Sequence, residues 1–254
     1  MVVLVLVGCV LSFAVLLHLF LWVHRPFGNF ASAAHRAGRR ARVLVVTAHP
    51  DDECMFFAPT VLETLRLGHQ VFLLCLSTGN FEKKGFTRRR ELFKSAAILG
   101  IPADNVTVVD NPDLPDDINI AWDPKLVAQK ILEQVFETSA NVVITFDHYG
   151  VSGHKNHSSL YHGVNDLVEK GQMPDNVLVY ALESVSLMRK YTSFLDVLPS
   201  ILSSASTLFL SGYPAVLKAQ RAMCAHRSQL VWFRWLYIAF SRYMVINTLR
   251  PLGR

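Results

Sequence analysis

Apolar and polar positions divide this chain into three unlike stretches. Residues Val2 to Val23 form 22 consecutive positions interrupted only by Gly8, Ser12 and His18. At helical rise that run spans a hydrocarbon core of about 30 Å and predicts a transmembrane helix. No basic residue precedes it, and it exceeds the roughly 7–15 apolar residues of a signal-peptide core. An uncleaved anchor over 2–23 is therefore expected, although Ala31-Ser32-Ala33 has the small-residue pattern of a cleavage site. From 43 to 183 the pattern changes. Apolar, largely β-branched runs at 43–47, 70–76, 105–109, 141–146 and 176–182 alternate with helical patterns near 55–67, 87–99, 124–138 and 157–170. Strands that are apolar on both sides need cover on both faces. The alternation thus predicts an α/β fold, a Rossmann-like, mostly parallel sheet with helices on both faces.

The last third is apolar without that rhythm. Residues 230–246 are aromatic and punctuated by Arg234 and Arg242. This mixture predicts an interfacial helix beside anionic lipid, ahead of a core helix with snorkelling arginines or a second span. The stretch 194–217, broken by Asp196, Pro199 and Pro214, is expected to form a membrane-dipping hairpin. The expected organisation is an anchor at 2–23, a basic connector at 24–41 and one domain at 42–254, whose part 194–254 is membrane-associated.

Charge sharpens this division. The formal net charge is +5 over 254 residues. Yet residues 24–42 carry five arginines and no acid, and residues 197–254 carry seven basic residues and no acid. Between them, 43–196 holds 13 basic against 20 acidic residues, a net of −7. Basic flanks without any nucleic-acid-binding motif suit an anionic membrane surface and argue against a nucleic-acid partner. All the nearby arginines follow the predicted span, which places the body in the cytosol. Cysteine usage agrees: Cys9 falls in the span, and Cys54, Cys75 and Cys224 have no paired or metal-type spacing, so free thiols are expected. Two sequons occur, at Asn105 and Asn156.

Candidate chemistry concentrates at two strand ends. Directly after the run 43–47 comes Ala48-His49-Pro50-Asp51-Asp52-Glu53. An acidic helix N-terminus accounts for Asp52 and Glu53 but not for His49-Pro50. Imidazole nitrogen plus carboxylate oxygen is a donor set for a borderline divalent metal, with a carboxylate left over as a base. After the run 141–146 comes Asp147-His148-Tyr149-Gly150-Val151-Ser152-Gly153-His154-Lys155-Asn156-His157. His154 and His157, three apart at a helix start, can face one site, although capping or solvated histidines read the same way. In parallel sheets ligands bind beyond the C-terminal strand ends, where both clusters fall.

His49-Pro50-Asp51-Asp52-Glu53 together with His154-Lys155-Asn156-His157 resembles the LmbE-like family of zinc-dependent de-N-acetylases. The predicted anchor, Phe56-Phe57-Ala58-Pro59-Thr60 and Cys224-Ala225-His226-Arg227-Ser228-Gln229-Leu230 narrow the resemblance to its membrane-anchored members. It implies hydrolysis of the N-acetyl group of an N-acetylglucosamine-linked phosphatidylinositol, the second step of GPI-anchor synthesis, on the cytosolic face of the endoplasmic reticulum. It also implies a zinc ion (or another divalent metal) on His49, Asp52 and His157, Asp51 as general base, and a protonated His154 facing the oxyanion. Arg88, Asp110, Asp113, His226 and Arg227 are implied substrate-binding residues. Some soluble members carry Tyr and Asp where this chain has Ser152 and Asn156, so an auxiliary role of that Tyr or Asp does not carry over to this chain. The competing readings are a deacetylase of a soluble N-acetylglucosamine conjugate and a non-catalytic membrane adaptor of the same fold.

Overall fold

The computed structural model describes residues 40–203 and 207–253, with the isolated positions 8, 12, 13, 15 and 16. The predicted anchor 2–23, apart from those positions, and nearly all of the connector 24–41 lie outside the described residues. Among the described residues no helix is long and apolar enough to cross a membrane.

The five apolar runs form β1 (Arg42–Thr47), β2 (Gln70–Cys75), β3 (Val106–Val108), β4 (Val142–Phe146) and β5 (Leu178–Leu182). They lie parallel in the order β3-β2-β1-β4-β5, with Val43 level with both Val71 and Val142. Every residue from Val43 to Thr47 and from Val142 to Phe146 is buried, so both faces of the sheet are covered. The predicted alternation and parallel sheet are thus present.

Strand order reverses between β1 and β4, since β2 and β3 extend to one side and β5 to the other. Loops leaving adjacent parallel strands in opposite directions open a crevice at the C-terminal ends. Both chemical clusters leave the sheet there. After β1 the predicted helix 55–67 is two pieces, α1 (Asp52–Met55) and α2 (Ala58–Arg66). Pro59 explains the break, because a residue without an N–H is accommodated in the first helical turn but not in the interior. The longer helices of this part are α3 (Gly85–Leu99), α4 (Pro124–Thr138) and α5 (Lys155–Glu169).

The C-terminal third departs from expectation. It comprises α6 (Leu187–Lys190), α7 (Val197–Ser203), β6 (Thr207–Leu210), α8 (Tyr213–Ala225), α9 (Trp232–Phe240) and β7 (Ile246–Pro251). β7 pairs antiparallel with β5 and β6 antiparallel with β7, completing a seven-stranded sheet. The expected hairpin at 194–217 is therefore wrong: all of Thr207–Leu210 is buried as a strand, and Pro214 opens α8. The helix expected over 230–246 is confined to α9. Arg242 does not snorkel; it is fully buried and paired with Asp196 at 2.6 Å, with Ser200 accepting a further hydrogen bond at 3.0 Å. Arg189 closes the other side of Asp196 at 2.6 Å. A buried guanidinium is tolerated only when its charge is met in this way.

Candidate active site

The site begins with a backbone constraint. As β1 ends, Asp52 Oδ2 accepts hydrogen bonds from the backbone N–H groups of Ala48 and His49, each at 2.9 Å. This folds the chain back on itself and leaves Oδ1 facing the crevice. Asp51, between these anchors, has φ 127°, a conformation that non-glycine residues adopt at a cost of about 1–3 kcal/mol. Such strain persists where surrounding contacts over-determine it. Here the Asp51 N–H donates to Glu53 Oε2 at 3.0 Å, and Arg234 holds its Oδ2 at 3.2 Å.

From β4 the second loop arrives held by Asp147, whose carboxylate accepts from the backbone N–H groups of Tyr149, Gly150 and Ser184 and from the Ser184 hydroxyl. His157, in the first turn of α5, stacks on Phe146 with ring centroids 4.1 Å apart. Its Nδ1 donates to the Gly150 carbonyl at 3.1 Å. A Cβ on Gly150 would lie 2.6 Å from the His157 Cβ, and Gly150 has φ 63°. Only glycine satisfies both the turn and the close approach.

His49, Asp52 and His157 converge. His157 Nε2 is 3.3 Å from His49 Nδ1 and 3.2 Å from Asp52 Oδ1, and all three residues are buried. The outer nitrogens of both rings face acceptors: Gly150 O for His157, and Asp116 Oδ1 at 3.1 Å and Asn156 Oδ1 at 3.0 Å for His49. The Asn156 orientation follows from its other bonds, since its Oδ1 also accepts from the Asp117 N–H and its Nδ2 donates to the Ile120 carbonyl. In the neutral tautomers that these outer acceptors favour, two imidazole lone pairs and a carboxylate oxygen point at one another. That donor set fits a divalent cation, and partners on the far nitrogens are the usual way such rings are oriented.

Charge follows the same logic. Burial alone would raise the Asp52 pKa, but His157 and His49 hold it below the ordinary carboxylate range. Asp116, opposed by burial but bonded to His49 and close to Arg88, is held down at about 2. Burial, followed by the neighbouring His157 and His49, pushes His154 down to about 4. That direction favours a neutral ring over the protonated one that the resemblance implies. Its Nδ1 accepts the Asn156 N–H at 3.3 Å as the N-cap of α5, which leaves Nε2–H as a donor.

The other predicted residues divide. Arg88 lines the same cleft of about 300 Å³ as His49, Asp51, Asp52, His154 and His157. Its guanidinium bonds the carbonyls of Gly79 and Pro50 and the carboxylate of Asp116, and lies 3.7 Å from Asp51. Asp110 is exposed in an adjoining hollow that shares Phe81, Asp116 and Asp117 with the cleft. Asp113 and Arg227 are exposed and line neither. His226 does not reach the cleft either. Fully buried, its Nε2 pairs with Glu53 at 2.8 Å, and Glu53 also receives the Ser95 hydroxyl. It belongs under the site, as a brace for the Asp51–Glu53 turn. Asp116, Asn156, Gln229 and Arg234 were missed. Asn156 was noted only as a departure; Asp116 sits in an acidic loop where nothing in the sequence distinguishes it from Asp110, Asp113 or Asp117.

A model of the family described as PIG-L: GlcNAc-PI de-N-acetylase matches residues 44–168, which contain both clusters. A Bos taurus relative named N-acetylglucosaminyl-phosphatidylinositol de-N-acetylase is 46% identical over 244 residues, covering 95% of this chain and 96% of its own. The chain belongs to the PIG-L family. A member from Schizosaccharomyces pombe, named as a probable enzyme of the same kind, is 39% identical over 82% of this chain and 86% of its own. The N,N'-diacetylchitobiose deacetylase of Pyrococcus horikoshii shares the fold with a TM-score of 0.61 at 15% identity, over 84% of each chain. The PIG-L match stops before β6, β7, His226 and Arg234, yet the Bos taurus alignment continues through nearly all of the chain.

Two outcomes test this arrangement. Gly150→Ala should displace His157 and weaken divalent-metal binding by about 10–100-fold, as read by competition with a chromophoric chelator; unchanged affinity would show that the glycine is not needed. The second concerns pH. Burial opposes both charges of the Glu53–His226 pair, but mutual attraction lowers the Glu53 pKa from 4.5 and raises that of His226 from 6.5. The Glu53 contribution is present above pH 4.5 and lost as pH falls; that of His226 is present below pH 6.5 and lost as pH rises through its raised value. In denaturant titrations wild type should lead His226→Gln by about 3–5 kcal/mol between those limits. The lead should narrow at alkaline pH, and a lead independent of pH would rule out a charged pair.

Proposed function

We propose that this chain is a metal-dependent amidohydrolase that converts N-acetylglucosaminyl-phosphatidylinositol into glucosaminyl-phosphatidylinositol and acetate, the second step of GPI-anchor synthesis. The observation that carries the proposal is the convergence of His49, Asp52 and His157 beside Asp51, whose carboxylate stays outside that cluster, in a chain 46% identical to a relative named for this reaction. Zinc suits two imidazoles and one carboxylate; bound there, it supplies Lewis acidity toward water and the acetamide carbonyl.

The chain's own groups do the rest. Asp51 accepts the proton of the attacking water as its oxygen adds to the carbonyl carbon. Arg234 at 3.2 Å and Arg88 at 3.7 Å hold that carboxylate in place. His154 Nε2–H donates toward the oxygen that gains negative charge, and being neutral it remains a donor without surrendering its proton. The C–N bond then breaks, acetate leaves, and the sugar nitrogen takes up the proton that Asp51 received from the water, which regenerates the base. Guanidinium groups beside the cleft also suit a phosphodiester-linked substrate.

We place the chain in the endoplasmic reticulum membrane, as a single-pass protein with its catalytic body on the cytosolic face. The apolar run 2–23 and the five arginines of 24–42 support this reading. Asn156 is fully buried and cannot report topology once the chain has folded, whereas Asn105 is half-buried at the domain edge. In cells Asn105 should carry no glycan. A glycosidase-sensitive mass shift that disappears in Asn105→Gln would reverse the orientation.

The chemical assignment rests on Asp51. Asp51→Asn should keep the metal and the KM while kcat falls by about 10²–10⁴-fold. Metal analysis and steady-state kinetics on N-acetylglucosaminyl-phosphatidylinositol in detergent micelles would read both. Loss of the metal, or turnover near wild type, would assign the base elsewhere. Glu53 and Asp147 are poor substitutes, because both are consumed by the hydrogen bonds that shape the two loops.

A further inference from the structure

α9 is turned inside out. At 3.6 residues per turn, Trp232, Phe233, Trp235, Leu236 and Phe240 share an arc of about 160°. All five are exposed, from 48% for Leu236 to 76% for Trp232. The opposite arc holds Arg234, Tyr237 and Ile238 and faces the body: Tyr237 donates to the Met55 carbonyl at 2.6 Å, and Arg234 reaches Asp51. A helix on a water-soluble body has the reverse arrangement, with its apolar stripe buried. α6 lies alongside. The Tyr191 ring that follows it is 6.4 Å from that of Tyr237, and the Lys190 ammonium sits 6.0 Å from both rings. Met188, within α6, is 84% exposed. A contiguous apolar surface of this kind marks a partner or a membrane.

The chemistry selects a membrane. Two exposed indoles, Trp232 and Trp235, bordered by the exposed Tyr191 and the half-buried Lys190 and Arg234, give the aromatic and basic composition of a helix lying in the headgroup plane. Residues 197–254 carry no acid, and while Arg242 is buried against Asp196, Lys218, Arg221, Arg227 and Arg250 stay exposed, which matches an anionic surface rather than a protein groove of mixed charge. The same helix reaches the wall of the cleft through Arg234, and the turn just before it does so through Gln229, beside His49 and Asp52. The apolar run 2–23 precedes the domain by a connector of only 18 residues, which holds the body within about 60 Å of a bilayer at full extension.

We infer that α9, with the adjoining α6, is a bilayer-docking face that lies in the headgroup region and opens the cleft at that level. The lipid substrate then enters without leaving its leaflet. The inference rests on the phospholipid reading of the cleft, and it adds the surface that delivers the phospholipid. It also gives Arg234 two neighbours, the catalytic carboxylate behind it and lipid phosphates at the rim.

The test uses the full-length chain in phosphatidylcholine–phosphatidylserine vesicles. Fluorescence of wild type is compared with Trp232→Phe/Trp235→Phe, so that the difference isolates those two indoles from Trp22 and Trp122. Bromine-labelled acyl chains should quench the difference signal, while aqueous iodide should not. Quenching by iodide alone would overturn the proposal, as would protection from both quenchers, which would mean cover by a second copy or by residues 2–23. In parallel, Trp232→Ser/Phe233→Ser/Leu236→Ser should lose about tenfold or more in kcat/KM on vesicle-borne substrate. The same variant should keep wild-type rates on a short-chain, water-soluble analogue. Equal loss on both substrates would assign the face to folding instead. Quenching needs no turnover, so a chain that is quenched but hydrolyses neither substrate keeps the docking face and loses the proposed reaction.

Discussion

Two imidazoles and a carboxylate aimed at one point, each with its outer atom already bonded elsewhere, are the constraint on which this molecule is built. When each ring carries only its outer proton, His49 Nδ1, His157 Nε2 and Asp52 Oδ1 turn lone pairs toward one another, and a cation, a proton or a metal ion, relieves that repulsion. Their geometry is imposed from outside. Asp116 and Asn156 take the proton of one ring, Gly150 takes that of the other, and two backbone amides consume the second oxygen of Asp52. Each outer bond fixes a tautomer or a rotamer that the inner cluster alone would not hold. The crevice between β1 and β4 allows this, because it brings two loops face to face at one sheet edge.

Around that cluster, charges form a connected chain rather than separate pairs. Arg88 joins Asp116 to Asp51, and Arg234 joins Asp51 to α9. Glu53 and His226 brace the same turn from below, 173 residues apart in sequence. In a buried setting each of these groups is costly alone and tolerable together. The strained φ of Asp51 belongs to the same scheme: the turn is held at both ends, so the residue between them accepts a conformation it would otherwise leave.

The C-terminal third has a larger part than its composition suggests. It supplies two strands that complete the sheet, the buried Arg242–Asp196 pair, the His226 brace and the Arg234 clamp. Its apolar content is therefore divided between two solvents. Residues such as Phe209, Tyr243 and Ile246 are buried in the core, while Trp232, Phe233 and Leu236 remain on the surface.

Local pattern determined a great deal by itself. Five β-branched runs, each bounded by helical periodicity, were enough to specify a parallel sheet, because such strands have no amphipathic alternative. His49-Pro50-Asp51-Asp52 and His154-Lys155-Asn156-His157 announced the metal-type chemistry, since adjacent residues of these kinds have little reason to cluster at a buried strand end. What sequence could not decide is everything that depends on long-range pairing. β6 and β7 read as membrane-associated segments because short strands inside an apolar stretch have no period of their own. His226 read as a substrate contact, although only folding reveals that it faces Glu53 under the floor. Asp116 and Asp113 are alike in composition and three residues apart, yet one meets His49 and the other meets water. That difference exists only once the β3–α4 loop has been laid across the crevice, because hydrogen-bond partners are a property of positions in space and not of neighbours along the chain.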